Sequence, residues 1–85
     1  MNAPKITSVQ VLENKKLLVK CENDVVKIYD CTQLLGIDMF QVLKNDAFFK
    51  LVKVDAGGYG ISWSDDADLS EYELWTNGVE TVMQS

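Results

Sequence analysis

Residues 57–78 read GGYGISWSDDADLSEYELWTNG: a glycine turn, a short apolar strand, an acidic corner and a capped helix in tight succession. The glycines before Ile61 supply the positive φ that a hairpin turn needs. Ile61 and Trp63 alternate with Ser62 and Ser64, the period of a half-buried strand. Ser70 and Glu73 have the spacing of a capping box, with Leu69 and Leu74 at the staple positions around it. Gly78 suits the position after a helix end. The helix is barely two turns and cannot stand alone, so Leu74 and Trp75 must pack on a sheet.

The rest of the chain predicts what that sheet is. Residues 6–12, 16–21 and 25–29 read as three strands. Asn23 and Asp24 tolerate positive φ and predict a two-residue hairpin turn between the second and third strands. That turn pairs Cys21 with Val26, Val19 with Ile28 and Leu17 with Asp30. One face then carries Leu17, Val19, Cys21, Val26 and Ile28, and the other Leu18, Lys20, Glu22, Val25, Lys27 and Tyr29. Residues 30–45 change period and read as two short helical pieces split at Gly36, with Asp30 or Thr32 capping the first and Asp38 the second. Residues 48–54 and 60–64 return to strand character around the turn at 55–58. The order β-β-β-α-β-β-α with tight hairpins predicts an α+β fold: an antiparallel sheet of about five strands with short helices packed on it. Strand order does not follow from these patterns. Eighty-five residues make a single domain, 1–85, with an ordered core over 4–79 and a frayed tail over 80–85.

Composition removes whole classes of function. Thirteen acids against eight basic residues leave a net charge of −5, and every basic residue is a lysine. Without arginine clusters, direct nucleic-acid binding loses its main source of affinity. The absence of histidine takes away the commonest general base and transition-metal ligand. No apolar run approaches the roughly 18 residues of a membrane span. The first ten residues lack a basic start and apolar stretch, so a cytoplasmic protein is expected, with Cys21 and Cys31 as reduced thiols. About five residue pairs separate those cysteines along the hairpin, roughly 16 Å, beyond disulfide reach.

Two groups of residues stand out. Asp65, Asp66 and Asp68 form the densest acidic cluster, but counting from Asp65 or Asp66 fails the calcium-loop pattern at the sixth and twelfth places. Gly57, Gly58 and Gly60 precede a strand, so they make a turn and no phosphate loop. Tyr59, Trp63, Tyr72 and Trp75 gather beside the acids. Trp63 alternates with Ile61 and belongs to the core. Tyr72 and Trp75 cannot both be fully buried on so short a helix, and an exposed aromatic beside carboxylates has the character of an interface anchor. Leu18, Val25 and Tyr29 lie on the supposed outer face of the hairpin. Left uncovered, they would form a binding or dimer patch, which keeps a homo-oligomer open.

Residues across nearly the whole chain resemble the small bacterial proteins named domain of unknown function 2442. They are Pro4, Lys5 and Ile6; Val26 through Asp30; Leu34 and Leu35; the stretch 49–55; Gly60 through Trp63; Ala67, Asp68 and Leu69; and Tyr72 and Leu74 before Gly78. The glycine usual near Asp66 and the proline usual near Glu71 are missing here. Members have no assigned catalytic activity, so the resemblance carries over no active-site residues; no cofactor and no resident metal are expected. Some members resemble partners of a small neighbouring protein in toxin–antitoxin units. With the negative charge, this gives the expected function: a non-enzymatic interaction module that binds a small basic protein through Tyr59, Asp65, Asp66, Asp68, Tyr72 and Trp75. The alternatives are a small-ligand or divalent-metal domain using the acidic corner, and an accessory subunit in nucleic-acid regulation.

Overall fold

A computed structural model describes residues 3–81. Seven strands form two antiparallel sheets. β1 (Ile6–Val11), β2 (Lys16–Cys21), β3 (Val26–Asp30) and β7 (Val79–Thr81) make the first, in that order. β4 (Lys53–Val54), β5 (Gly60–Ser64) and β6 (Ala67–Ser70) make the second. Helix α1 (Asp46–Phe49) and helix α2 (Glu71–Asn77) join them, with 3-10 turns at Cys31–Leu34, Asp38–Lys44 and Ala56–Gly58. The α+β class and the antiparallel pairing are as the sequence predicts; the strands divide four and three between two sheets.

One core fills the space between the sheets. Ile6, Leu17, Val19, Cys21 and Tyr29 come from the first, and Ile61, Trp63, Ala67 and Leu69 from the second. Leu34, Phe40, Leu43, Phe49 and Leu74 close it from the helical pieces. Among the described residues no polar or charged side chain other than tyrosine and tryptophan is buried. Those two find partners. The Tyr29 hydroxyl donates to Glu73 Oε2 at 2.8 Å, and Trp63 Nε1 donates to the Phe49 carbonyl at 2.9 Å. The Phe49 and Trp63 rings stack with centroids 5.8 Å apart.

The β2–β3 register differs from the expected one by a single residue. Leu17 faces Tyr29 and Val19 faces Lys27. The turn contains three residues instead of two: Asp24 N–H donates to the Cys21 carbonyl at 3.0 Å, Cys21 N–H donates to Val25 at 2.9 Å, and Asp24 takes a left-handed φ of 67°. A type I turn followed by a left-handed residue is the usual three-residue hairpin. The extra residue turns Tyr29 into the core and Lys27 toward α2, where its ammonium lies 4.4 Å from the centre of the Trp75 ring.

Three further expectations change. Residues 48–54 are strand only at Lys53–Val54, because Asn45 accepts the Phe48 N–H and starts α1 instead. The second helical piece begins after Ile37 without a side-chain cap, so Asp38 lies inside it. Glu80 and Thr81, expected as tail, pair with Lys27 and Val26 in β7; residues 82–85 lie outside the described residues. Asp30 does cap the first piece, and the Thr32 hydroxyl and N–H bonded to it hold its carboxyl below the usual range.

Gly58 seats the second sheet against the first. Its φ is +77°, and a Cβ there would meet the Ile6 carbonyl oxygen at 2.6 Å. Gly36 has nothing within 4 Å of its virtual Cβ. Gly58→Ala should therefore cost about 2 kcal/mol or more in urea unfolding, while Gly36→Ala should stay within about 1 kcal/mol of the parent.

Both thiols are buried and free. Burial pushes the Cys31 thiol from 9.0 up to about 12 and raises Cys21 as well. A raised folded-state value favours the neutral thiol, so the stability it contributes is whole below pH 9.0 and is lost as pH climbs toward about 12. A thiol-specific reagent at neutral pH should label neither cysteine in the native protein and both in denaturant. Urea midpoints should fall across that alkaline window, and Cys31→Ser should reduce the fall.

Candidate functional site

The β5–β6 hairpin positions most of the residues of interest. Ile61 and Trp63 point inward, so Ser62 and Ser64 point out, and Asp68 stands opposite Ser62 on the same face. Asp55, at the end of β4, accepts the Ser62 hydroxyl at 2.6 Å. Asp55, Ser62, Ser64, Asp65 and Asp68 line a solvent-open cleft of about 180 Å³. Asp66 sits at the hairpin tip, exposed and outside the lining.

Tyr59 and Tyr72 lie at the opposite end of that hairpin. The Glu71 N–H donates to the Tyr59 carbonyl at 3.1 Å, which brings the start of α2 against the strand entrance. Both tyrosines are about three-fifths exposed, at 61% and 62%. The Lys5 ammonium lies 5.0 Å from the centre of the Tyr59 ring. Four steps of strand, about 13 Å, separate this end from the acidic tip. The expected corner is therefore two surfaces, one at each end of the hairpin, with Asp68 between them. Trp75 belongs to neither: it is half-buried beneath Lys27 and serves to dock α2 on β3.

The capping box closes on one side only. Ser70 Oγ accepts the Glu73 N–H at 3.1 Å, but the Glu73 carboxylate accepts from Tyr29 and from Asn77 Nδ2, each at 2.8 Å. Glu73 thus anchors the helix to the sheet and is unavailable to a partner.

Charge is distributed unevenly. Among the described residues the one ion pair joins Lys15 to Asp46, whose carboxyl that lysine holds below its usual range. Lys5, Lys15 and Lys27 all lie over aromatic rings of the chain itself. The carboxylates of the cleft have no such partner. Among the described residues no group of three or more His, Cys, Asp or Glu is placed to hold a metal ion.

A second exposed surface escaped sequence reasoning. The Asp38–Lys44 turn is a seven-residue 3-10 helix, long for its kind. Side chains three apart eclipse in this geometry. Phe40 and Leu43 form its buried row, so Met39 and Val42 form another row that stays about half exposed, at 49% and 47%. The apolar run around residue 40 reads equally well at a period of 3.6, so its pattern alone does not single out these two as exposed. Leu51 and Val79 are also exposed, Val79 on the outer face of β7 beside Ile28.

Comparison with known proteins agrees with the resemblance read from the sequence. No curated protein and no solved structure matches the chain. A family model described as protein of unknown function DUF2442 matches residues 6–80, nearly the whole length, and the chain belongs to that family.

Proposed function

We propose that this chain is a non-enzymatic protein-interaction module, working in the cytoplasm, that binds a small basic protein with the exposed residues of its β5–β6 hairpin and the start of α2. The observation that supports this reading is the exposure of Tyr59 and Tyr72 at one end of the β5–β6 hairpin, with the carboxylates of Asp65 and Asp68, which no lysine pairs, toward the other. Tyrosine supplies large contact area with little conformational freedom to lose, so the two rings are the anchors. Asp65, Asp66 and Asp68 supply a negative field that attracts lysine and arginine side chains and orients the approach. The antitoxin-like members of the family extend the reading: the bound face covers the functional surface of a protein encoded beside this one. Among the described residues no helix is long and apolar enough to cross a membrane.

The two halves of the site should separate kinetically when binding to the purified neighbouring protein is followed in real time. Tyr59→Ala with Tyr72→Ala should speed dissociation and weaken affinity about 30-fold or more. Asp65→Asn, Asp66→Asn and Asp68→Asn together should slow association and flatten its dependence on salt, with dissociation little altered. Unchanged rates in both variants would refute this face as the binding surface.

A further inference from the structure

Asn77 is the one asparagine in the sequence followed by glycine. We propose that Asn77–Gly78 is a site of spontaneous covalent modification, gated by the fold. In the reaction, the deprotonated main-chain nitrogen of Gly78 attacks the side-chain carbonyl carbon of Asn77. A C–N bond forms, the side-chain nitrogen leaves as ammonia, and a five-membered succinimide results. Water then opens the ring at either carbonyl, giving aspartate or isoaspartate. One water is consumed and one ammonia released, with no change of oxidation state. Glycine favours the closure because no Cβ obstructs the attacking nitrogen.

The native structure restrains both reacting groups. Gly78 N–H donates to the Leu74 carbonyl at 2.9 Å, and Asn77 Nδ2 donates to Glu73 Oε2 at 2.8 Å. Gly78 is also packed against β3: a Cβ there would meet the Lys27 Cβ at 3.0 Å and the Leu74 carbonyl oxygen at 2.5 Å. On its far side Val79 pairs with Ile28 and Glu80 with Lys27. Ring closure therefore requires the last turn of α2 and β7 to open together, a local event whose probability sets the rate.

The product does not fit where the asparagine was. An aspartate at 77 replaces a donor facing Glu73 with a second negative charge, which weakens the hold on a carboxylate that also anchors Tyr29. Isoaspartate inserts an extra backbone carbon between α2 and β7, so Val79 and Glu80 cannot keep their partners on β3. The edge of the four-stranded sheet is then left open for good, since the reaction does not reverse. The chain carries a one-way record of how often its C-terminal strand has been undocked.

Peptide mapping by mass spectrometry, with enzymatic detection of isoaspartate, tests this on the full chain incubated at mildly alkaline pH. Deamidation at Asn77 should be more than about tenfold slower in the native protein than in urea. Glu73→Ala, which frees the Asn77 amide, should raise the native rate. Should that variant fail to fold, Asn77→Asp supplies the independent reading: its Val79–Thr81 amides should exchange faster than the parent's while those of β2 stay protected. Equal native and urea rates, or modification spread evenly over Asn14, Asn23, Asn45 and Asn77, would overturn the proposal. So would unchanged exchange at β7 in Asn77→Asp.

Discussion

The left-handed turn at Asp24 decides which side of β3 faces the core, and the docking of the last helix follows from it. With three residues in the loop, Tyr29 stands opposite Leu17 and is fully buried. Its ring fills the core, and its hydroxyl reaches Glu73 on α2. The same register turns Lys27 over the Trp75 ring and puts β3 beside β7. A two-residue turn would put Tyr29 and Lys27 on the opposite face and leave α2 with Leu74 as its main attachment. Burying a phenol needs a hydrogen-bond partner, and here the partner is the N3 residue of a short helix. That contact gives a seven-residue helix, unstable alone, a fixed seat.

The core that results is nearly free of polar groups, and its two polar aromatic tips both have hydrogen-bond partners. A domain of this size reaches such an arrangement without a disulfide by closing one core between two small sheets. The consequence is electrostatic. All thirteen acids and eight lysines must lie at or near the surface. Lys5, Lys15 and Lys27 lie over aromatic rings of the chain, and among the described residues no lysine pairs with a carboxylate of the cleft. Asp55, Asp65 and Asp68 bring three carboxylates to the cleft. Asp55 is part of it only because β4 pairs with β5; it lies seven residues from Ser62, whose hydroxyl it accepts.

Local signals were readable where one residue decides the outcome. Ser70 accepts the Glu73 N–H and starts α2 as its spacing predicts, and β2 runs over Lys16–Cys21 as read. The errors fall where two local signals compete or where pairing is distant in sequence. Phe48 and Val52 resemble strand residues, yet Asn45 three positions earlier is a helix cap and prevails. Asp68 and Leu69 read as the approach to a cap, while their pairing with Ser62 and Ile61 makes them a strand. Val79 through Thr81 carry no strong pattern of their own and become β7 because the edge of β3 is free to receive them. The site was legible as a list of residues but not as a shape, since only the hairpin geometry shows that Tyr59 and Asp65 sit at opposite ends.

That separation bears on what kind of partner can use the face. A contact confined to the acidic tip would be largely electrostatic, weak and sensitive to salt. A contact confined to the tyrosines would lack any means of selecting a basic surface over a neutral one. A standard interface covers about 800 Å² on each partner, a patch roughly 30 Å across, more than twice the strand length between the two ends. An ordinary folded protein that covers the hairpin from end to end therefore meets both at once, while a single extended peptide crossing the strands meets one or the other. Under the proposed function, this spacing favours a globular partner with a basic rim and an apolar pocket to receive a tyrosine ring.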